Sequence, residues 1–198
     1  MKIFTLPLLL LILSACTHRS ISNPELLKQP NTPQVKYAKK DLKVFPLNVD
    51  AAQSCYTSSA GVNTTRTTCS NKGRLNTITN VFKERGLQAV QAQKGSELSA
   101  PNLSVQTDEI NWLLERITGL GNIITLGLLP MYHYEDFVVS YKDPTTNVDI
   151  TEEVTITSTT SWFSLFRTMP EELEGSRAKY KVEENLIRKV LDDAKVGK

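Results

Sequence analysis

Phe137-Val138-Val139-Ser140-Tyr141-Lys142-Asp143-Pro144-Thr145-Thr146-Asn147-Val148-Asp149-Ile150 is the stretch that decides the fold class. Phe137, Val139 and Tyr141 recur at every second position, the period of a strand with one buried face. Asp143 to Asn147 carries turn chemistry, and Pro144 suits the second position of a type I turn. Val148, Ile150, Val154 and Ile156 then alternate on the return strand. Glu152 falls on the apolar phase, so a strand end or an exposed bulge is expected there.

Outward from this hairpin, Leu42 to Val49 reads as a strand whose Pro46 suggests an edge or a bulge. A helix is expected over Lys72 to Arg85, with Leu75, Ile78 and Phe82 on one face and Gly86 as its C-terminal cap. Leu87 to Gln93 forms a second strand, and Asn102 to Thr107 a further one. Near the C-terminus, Thr168 and Glu171 have capping-box spacing, with Pro170 and Glu172 in the first turn. Leu173, Tyr180, Ile187, Leu191 and Ala194 then supply a near-helical apolar stripe. These elements predict an α+β fold. It would be a small antiparallel or mixed sheet with a mid-chain helix and a C-terminal helix packed on it, in one domain from residue 42 to 198.

The run from Trp112 to Tyr134 allows two readings. Residues 117–130 are apolar but broken by Gly119, Gly121, Asn122 and Gly127, and they end at Pro130. The run is shorter than the ~20 residues that span a bilayer. The favoured reading is a buried strand or loop packed tightly against a neighbour. The other is a surface touching membrane or a partner, with Trp112, Leu126, Leu128, Tyr132, Trp162 and Phe163 as its contact residues. Trp162, Phe163, Leu165 and Phe166 are likewise expected to pack in the core where strand passes to helix. Gly119-Leu120-Gly121 does not extend to a dinucleotide fingerprint, because Ile124 stands where a third glycine is needed.

The N-terminus indicates location. Lys2 precedes an apolar run from Ile3 to Leu13, too short for a mature spanning helix, and Leu13-Ser14-Ala15 leads straight into Cys16. Leu13-Ser14-Ala15-Cys16 resembles the lipobox of bacterial lipoproteins. The resemblance implies that residues 1–15 are removed as a signal peptide and that Cys16 carries a diacylglyceryl group and an acylated amine. Membrane lipid is then a partner through Cys16. Thr17 is not the Asp that retains such proteins in the inner membrane of Gram-negative bacteria. The implied address is the outer membrane, facing the periplasm, or the outside of the plasma membrane in a Gram-positive source. Residues 16–41, with Asn23-Pro24 and Gln29-Pro30-Asn31-Thr32-Pro33, are expected to form a lipidated N-terminus and flexible tether. Ile124 to Pro130, followed by alternating strands, also resembles a loose group of proteobacterial envelope lipoproteins, from which no catalytic residue carries over.

With Cys16 assigned to lipid, Cys55 and Cys69 remain as an even pair in an oxidising compartment, and a disulfide between them is expected. No His or CxxC lies near them to complete a metal site, and no cofactor motif is present. The formal net charge is +2, with acidic and basic residues mixed, so nucleic-acid binding has no support. His18 falls in the expected tether. His133, beside Glu135 and Asp136, has no nucleophile motif with it. The expected function is therefore a lipid-anchored, non-enzymatic accessory or binding protein of a bacterial envelope, with an envelope protein as partner in an assembly or transport complex. The alternative is a hydrolase-like envelope enzyme using His133.

Overall fold

A computed structural model of the chain describes residues 16–28, 42–51, 54–59, 65–70, 72–92, 99–110, 112–173 and 178–197. The expected signal segment, residues 1–15, and residues 29–41 of the expected tether lie outside this set. In chain order the elements are β1 (Cys16–Ile21), β2 (Lys43–Ala51), β3 (Ser54–Ser59), β4 (Thr65–Ser70), α1 (Lys72–Glu84), β5 (Leu87–Gln91) and β6 (Asn102–Ile110). They continue with α2 (Trp112–Ile124), β7 (Met131–Asp143), β8 (Val148–Ser161) and α3 (Ala178–Asp193). Six strands form one mixed sheet in the order β1-β8-β7-β6-β2-β5, and β3 pairs with β4 in a separate two-stranded sheet. The fold is α+β, as the alternation and helical periods predict.

By its internal contacts the chain divides into two units. The first comprises residues 1–27, 108–137 and 154–181; the second comprises 28–107, 138–153 and 182–198.

In the second unit, β2 pairs in parallel with β5 through Lys43–Leu47 and with β6 through Asn48–Ala51. Pro46 therefore falls in the half of β2 whose recorded partner is β5, opposite Val90, and the strand tolerates its missing N–H without being an edge of the sheet. Ile78, Val81 and Phe82 of α1 are buried, whereas Leu75, expected on that face, is exposed. Arg74, one residue earlier, takes the buried position and forms an ion pair with Glu183 of α3 at 3.0 Å. Gly86, at φ 72°, closes the helix in the left-handed conformation that favours glycine.

From α3 this unit buries Val182, Leu186, Ile187, Val190 and Leu191. Glu152 is not at a strand end: it sits within β8, half-buried, and pairs with Lys189 of α3. The hairpin tip follows the expected turn chemistry. Asp143 accepts hydrogen bonds from the Thr145 and Thr146 backbone N–H groups and from the Thr146 hydroxyl.

In the first unit, β1 pairs antiparallel with β8 over six residues, from Cys16 opposite Ser161 to Ile21 opposite Ile156. The expected tether thus starts too early. Residues 16–21 are a strand, 24–28 a short 3-10 helix, and Leu26 is fully buried. Tether composition was misleading because a strand on a sheet edge needs only its backbone groups and an occasional apolar anchor. The last helix begins at Ala178 rather than at Thr168. A three-residue 3-10 turn, Glu171–Leu173, precedes it, and Tyr180 of the predicted stripe is exposed.

Candidate functional site

The run expected to be a buried strand or loop is helix α2 followed by a six-residue connection into β7, and most of its apolar side chains are exposed. Leu113, Ile117, Leu120 and Ile124 follow i, i+4, i+7, i+11 spacing and so form one stripe. All four are exposed, as are Leu114 and Ile123. The opposite stripe is Glu115, Thr118, Gly119 and Asn122, and this small, polar stripe is the one turned toward the rest of the unit.

Each member of that inner stripe has a defined neighbour. Glu115 pairs with His133 Nδ1 at 3.1 Å. The Thr118 hydroxyl accepts a hydrogen bond from the Tyr132 backbone N–H at 3.3 Å and donates to the Leu114 carbonyl. Gly119 lies against Met131, whose Sδ would be 3.4 Å from an added Cβ. The Asn122 amide donates to the carbonyls of Leu129 (2.6 Å) and Thr160 (3.1 Å). An ordinary surface helix turns its apolar face inward; α2 is inverted. The core expectation for residues 117–130 is overturned, because the large apolar side chains of α2 face outward and its small, polar stripe makes the contacts with its unit.

The connection after α2 extends the exposed surface. The Leu126 N–H donates to the Ile123 carbonyl and the Gly127 N–H to the Asn122 carbonyl, the paired bonds of a Schellman C-cap. Leu126 takes the left-handed position of that motif at φ 53°, where glycine is the usual residue. Leu126 is 55% exposed, and Leu128 and Leu129 are also exposed. Trp162 locks the turn: its Nε1–H donates to the Leu126 carbonyl at 2.7 Å and its backbone N–H to the Gly127 carbonyl at 3.1 Å. A Cβ on Gly127 would lie 2.5 Å from Trp162 Cδ1, so only glycine fits there.

Trp162 opens the 3-10 helix Trp162–Phe166, braced by buried Ser161 and Ser164, whose hydroxyls lie 3.1 Å apart. Phe163 and Phe166 are 61% and 85% exposed. The expectation that this aromatic cluster is core fails for both. Of the six contact residues proposed from sequence, Leu126, Leu128 and Phe163 are exposed, and Trp162 and Tyr132 are half-buried. Trp112 opens α2, with its side chain outside the described residues. The six do not include Leu113, Ile117, Leu120 and Ile124, of which the last three lie in the run whose alternative reading was a contact surface. Their spacing was readable as a helical stripe, but the glycines between them suggested a break.

His133 lies at the base of this surface, between Glu115 of α2 (Nδ1, 3.1 Å) and Glu135 of β7 (Nε2, 3.4 Å). Lys179 of α3 also pairs with Glu135. Burial of the ring favours its neutral form, but hydrogen bonds and charges from Glu115 and Glu135 outweigh this and raise its pKa above the usual value. Both ring nitrogens are engaged by carboxylates, so the imidazole acts as a clamp between α2 and β7. His18, in the strand β1 rather than in a tether, bonds through Nε2 with the Thr168 carbonyl at 3.2 Å. Cys55 and Cys69 are directly opposite in the antiparallel register of β3 and β4. Among the described residues, no group of three or more His, Cys, Asp or Glu side chains is arranged to hold a metal ion.

No protein-family model and no curated protein matches the chain. Among solved structures it is similar to the PelC dodecamer from Paraburkholderia phytofirmans, at 14% identity and a TM-score of 0.29, covering 89% of this chain and 95% of that one. A variant of the same dodecamer gives 12% identity and a TM-score of 0.28 over the same shares. At these scores the likeness assigns no role.

Proposed function

We propose that the protein is a lipid-anchored, non-enzymatic accessory or binding protein of a bacterial envelope, held to its membrane through Cys16 and working through the apolar surface of its first unit. The lipobox Leu13-Ser14-Ala15-Cys16 supports the anchor, and its following Thr17 supports the periplasmic face of the outer membrane. The observation that carries the binding role is the inverted α2. Eleven of the fifteen exposed large hydrophobic residues among those described belong to α2, the connection after it and the Trp162–Phe166 turn. Each Leu, Ile or Phe moved from water to an apolar contact contributes roughly 1.5–3 kcal/mol. A patch of this kind left in water is an aggregation hazard, and a covering surface turns it into binding energy.

An enzymatic role for His133 has less support, because the geometry that would serve a base already serves the α2 clamp. The disulfide between Cys55 and Cys69 belongs to the same proposal, since it fits an oxidising compartment. The test of the anchor is metabolic labelling with a palmitate analogue. Wild type should be labelled and Cys16→Ser should not; equal signal in the two removes the anchor. Crosslinked pull-down from native membranes then names any protein partner.

A further inference from the structure

We propose that α2 lies flat in the leaflet that holds the Cys16 acyl chains, with Leu113, Ile117, Leu120, Ile124, Phe163 and Phe166 inserted among the lipid tails. The inference rests on the lipid-anchor reading above and deepens it by naming what covers the exposed surface.

Length sets the orientation. Thirteen helical residues extend ~20 Å, against ~30 Å of bilayer hydrocarbon, so α2 cannot cross. Among the described residues no helix is long and apolar enough to do so. A short helix with one apolar face instead settles in the plane of the interface, with that face ~5–10 Å below the headgroups.

Register brings the anchor to the same place. Cys16 is opposite Ser161, and Trp162, the next residue, is hydrogen-bonded to Leu126 and Gly127. Acyl chains on Cys16 would leave the chain beside the Trp162–Phe166 turn, without an intervening linker. A leaflet that receives those chains lies against this surface.

Charge agrees with a lipid occupant. The sequence of α2 contains one acid and one base. The acid, Glu115, pairs with His133, and the base, Arg116, is an exposed residue at the shoulder of the apolar stripe. Arg167, exposed as well, directly follows Phe166. This distribution suits anionic headgroups around an apolar centre. The connection also keeps Leu126 in a backbone conformation that glycine would occupy more easily, and there its side chain faces solvent instead of core.

The test uses the full chain purified from its native membrane and reconstituted into vesicles of phosphatidylethanolamine with a minority of phosphatidylglycerol, with brominated acyl chains. The chain has two tryptophans, Trp112 as the first residue of α2 and Trp162 hydrogen-bonded to the connection after it, so emission comes from the two ends of this element. Wild type should be strongly quenched. Ile117→Gln/Leu120→Gln/Phe166→Ser, all at exposed positions, should lose most of the quenching while staying on the vesicles through Cys16; Val44→Gln in the second unit should behave as wild type. Equal quenching of wild type and the triple variant, or none in either, overturns the proposal. Unquenched wild type that self-associates through the same three residues also overturns it, in favour of a second copy as the cover. Palmitate labelling of Cys16 reads the anchor separately, so loss of insertion with intact labelling sinks this inference alone.

Discussion

The indole N–H of Trp162 donates to the backbone carbonyl of Leu126 at 2.7 Å, and Leu126 itself holds a left-handed φ of 53°. A tryptophan just after β8 thus fixes a strained leucine just after α2. Left-handed geometry costs an L-residue roughly 1–2 kcal/mol relative to glycine, and an exposed side chain recovers little of that in water. Leu126→Gly should therefore leave denaturant stability unchanged or raise it by up to about 1 kcal/mol. Leu126→Asp should cost little, because the side chain is exposed; a loss as large as ~3 kcal/mol in chemical denaturation would return Leu126 to the core.

His133 makes the attachment of α2 depend on pH. Its facing groups are Glu115 on α2, Glu135 on β7 and, through Glu135, Lys179 on α3. The folded-state pKa is raised above the ordinary 6.5, so folding favours the protonated ring. That contribution is complete below about pH 6.5 and is lost as pH rises through the raised value. Hydrogen exchange of the α2 amides should accelerate over that rise in wild type and lose this step in His133→Gln. A step of the same size in His133→Gln would assign the pH dependence to another group.

The second unit contains a buried ion pair whose two partners behave differently alone and together. Arg74 and Glu183 have side chains only 7% and 4% exposed, and Arg74 also donates to the Thr107 hydroxyl. Burial raises the Glu183 pKa more strongly than the Arg74 charge lowers it. Removing Arg74 alone strands a buried carboxylate, so Arg74→Met should cost about 3–5 kcal/mol. Arg74→Met/Glu183→Leu should recover most of this, since an apolar pair of similar volume needs no desolvation of charge. Urea unfolding of the two single variants and the double variant forms the cycle. A double variant no better than Arg74→Met would show that the pair holds specific geometry.

The hairpin Phe137–Ile156 was legible because a period of two and an Asp-Pro turn are local properties, and Phe137, Val139, Tyr141, Val154 and Ile156 are all buried as that period requires. Gly86 was legible for the same reason. Arg74, Glu152 and Tyr180 were not: whether a side chain at a helical or strand phase is buried depends on a partner distant in sequence, here Glu183 for Arg74 and Lys189 for Glu152. The α2 surface failed for a further reason. Apolar periodicity tells which residues share a face, and the usual rule assigns that face to the core. Nothing local says that Glu115, Thr118 and Asn122 will find partners on β7 and β8 and turn the helix over.

Cys55 and Cys69 provide the last prediction. Residues directly opposite in an antiparallel pair have Cα atoms ~4.5–5.5 Å apart, inside the ~4.4–6.8 Å range of disulfides. Their register therefore puts the two Cα atoms in that range, and the proposed lipidation of Cys16 would leave them as an even pair. Protein purified from its native source and unfolded without reductant should show neither thiol to an alkylating reagent, and both after reduction. Closing a loop of this size constrains the unfolded chain by about 3 kcal/mol, so reduction should lower the denaturation midpoint. Two freely alkylated thiols in unreduced material would remove the disulfide and weaken the case for an oxidising compartment as well.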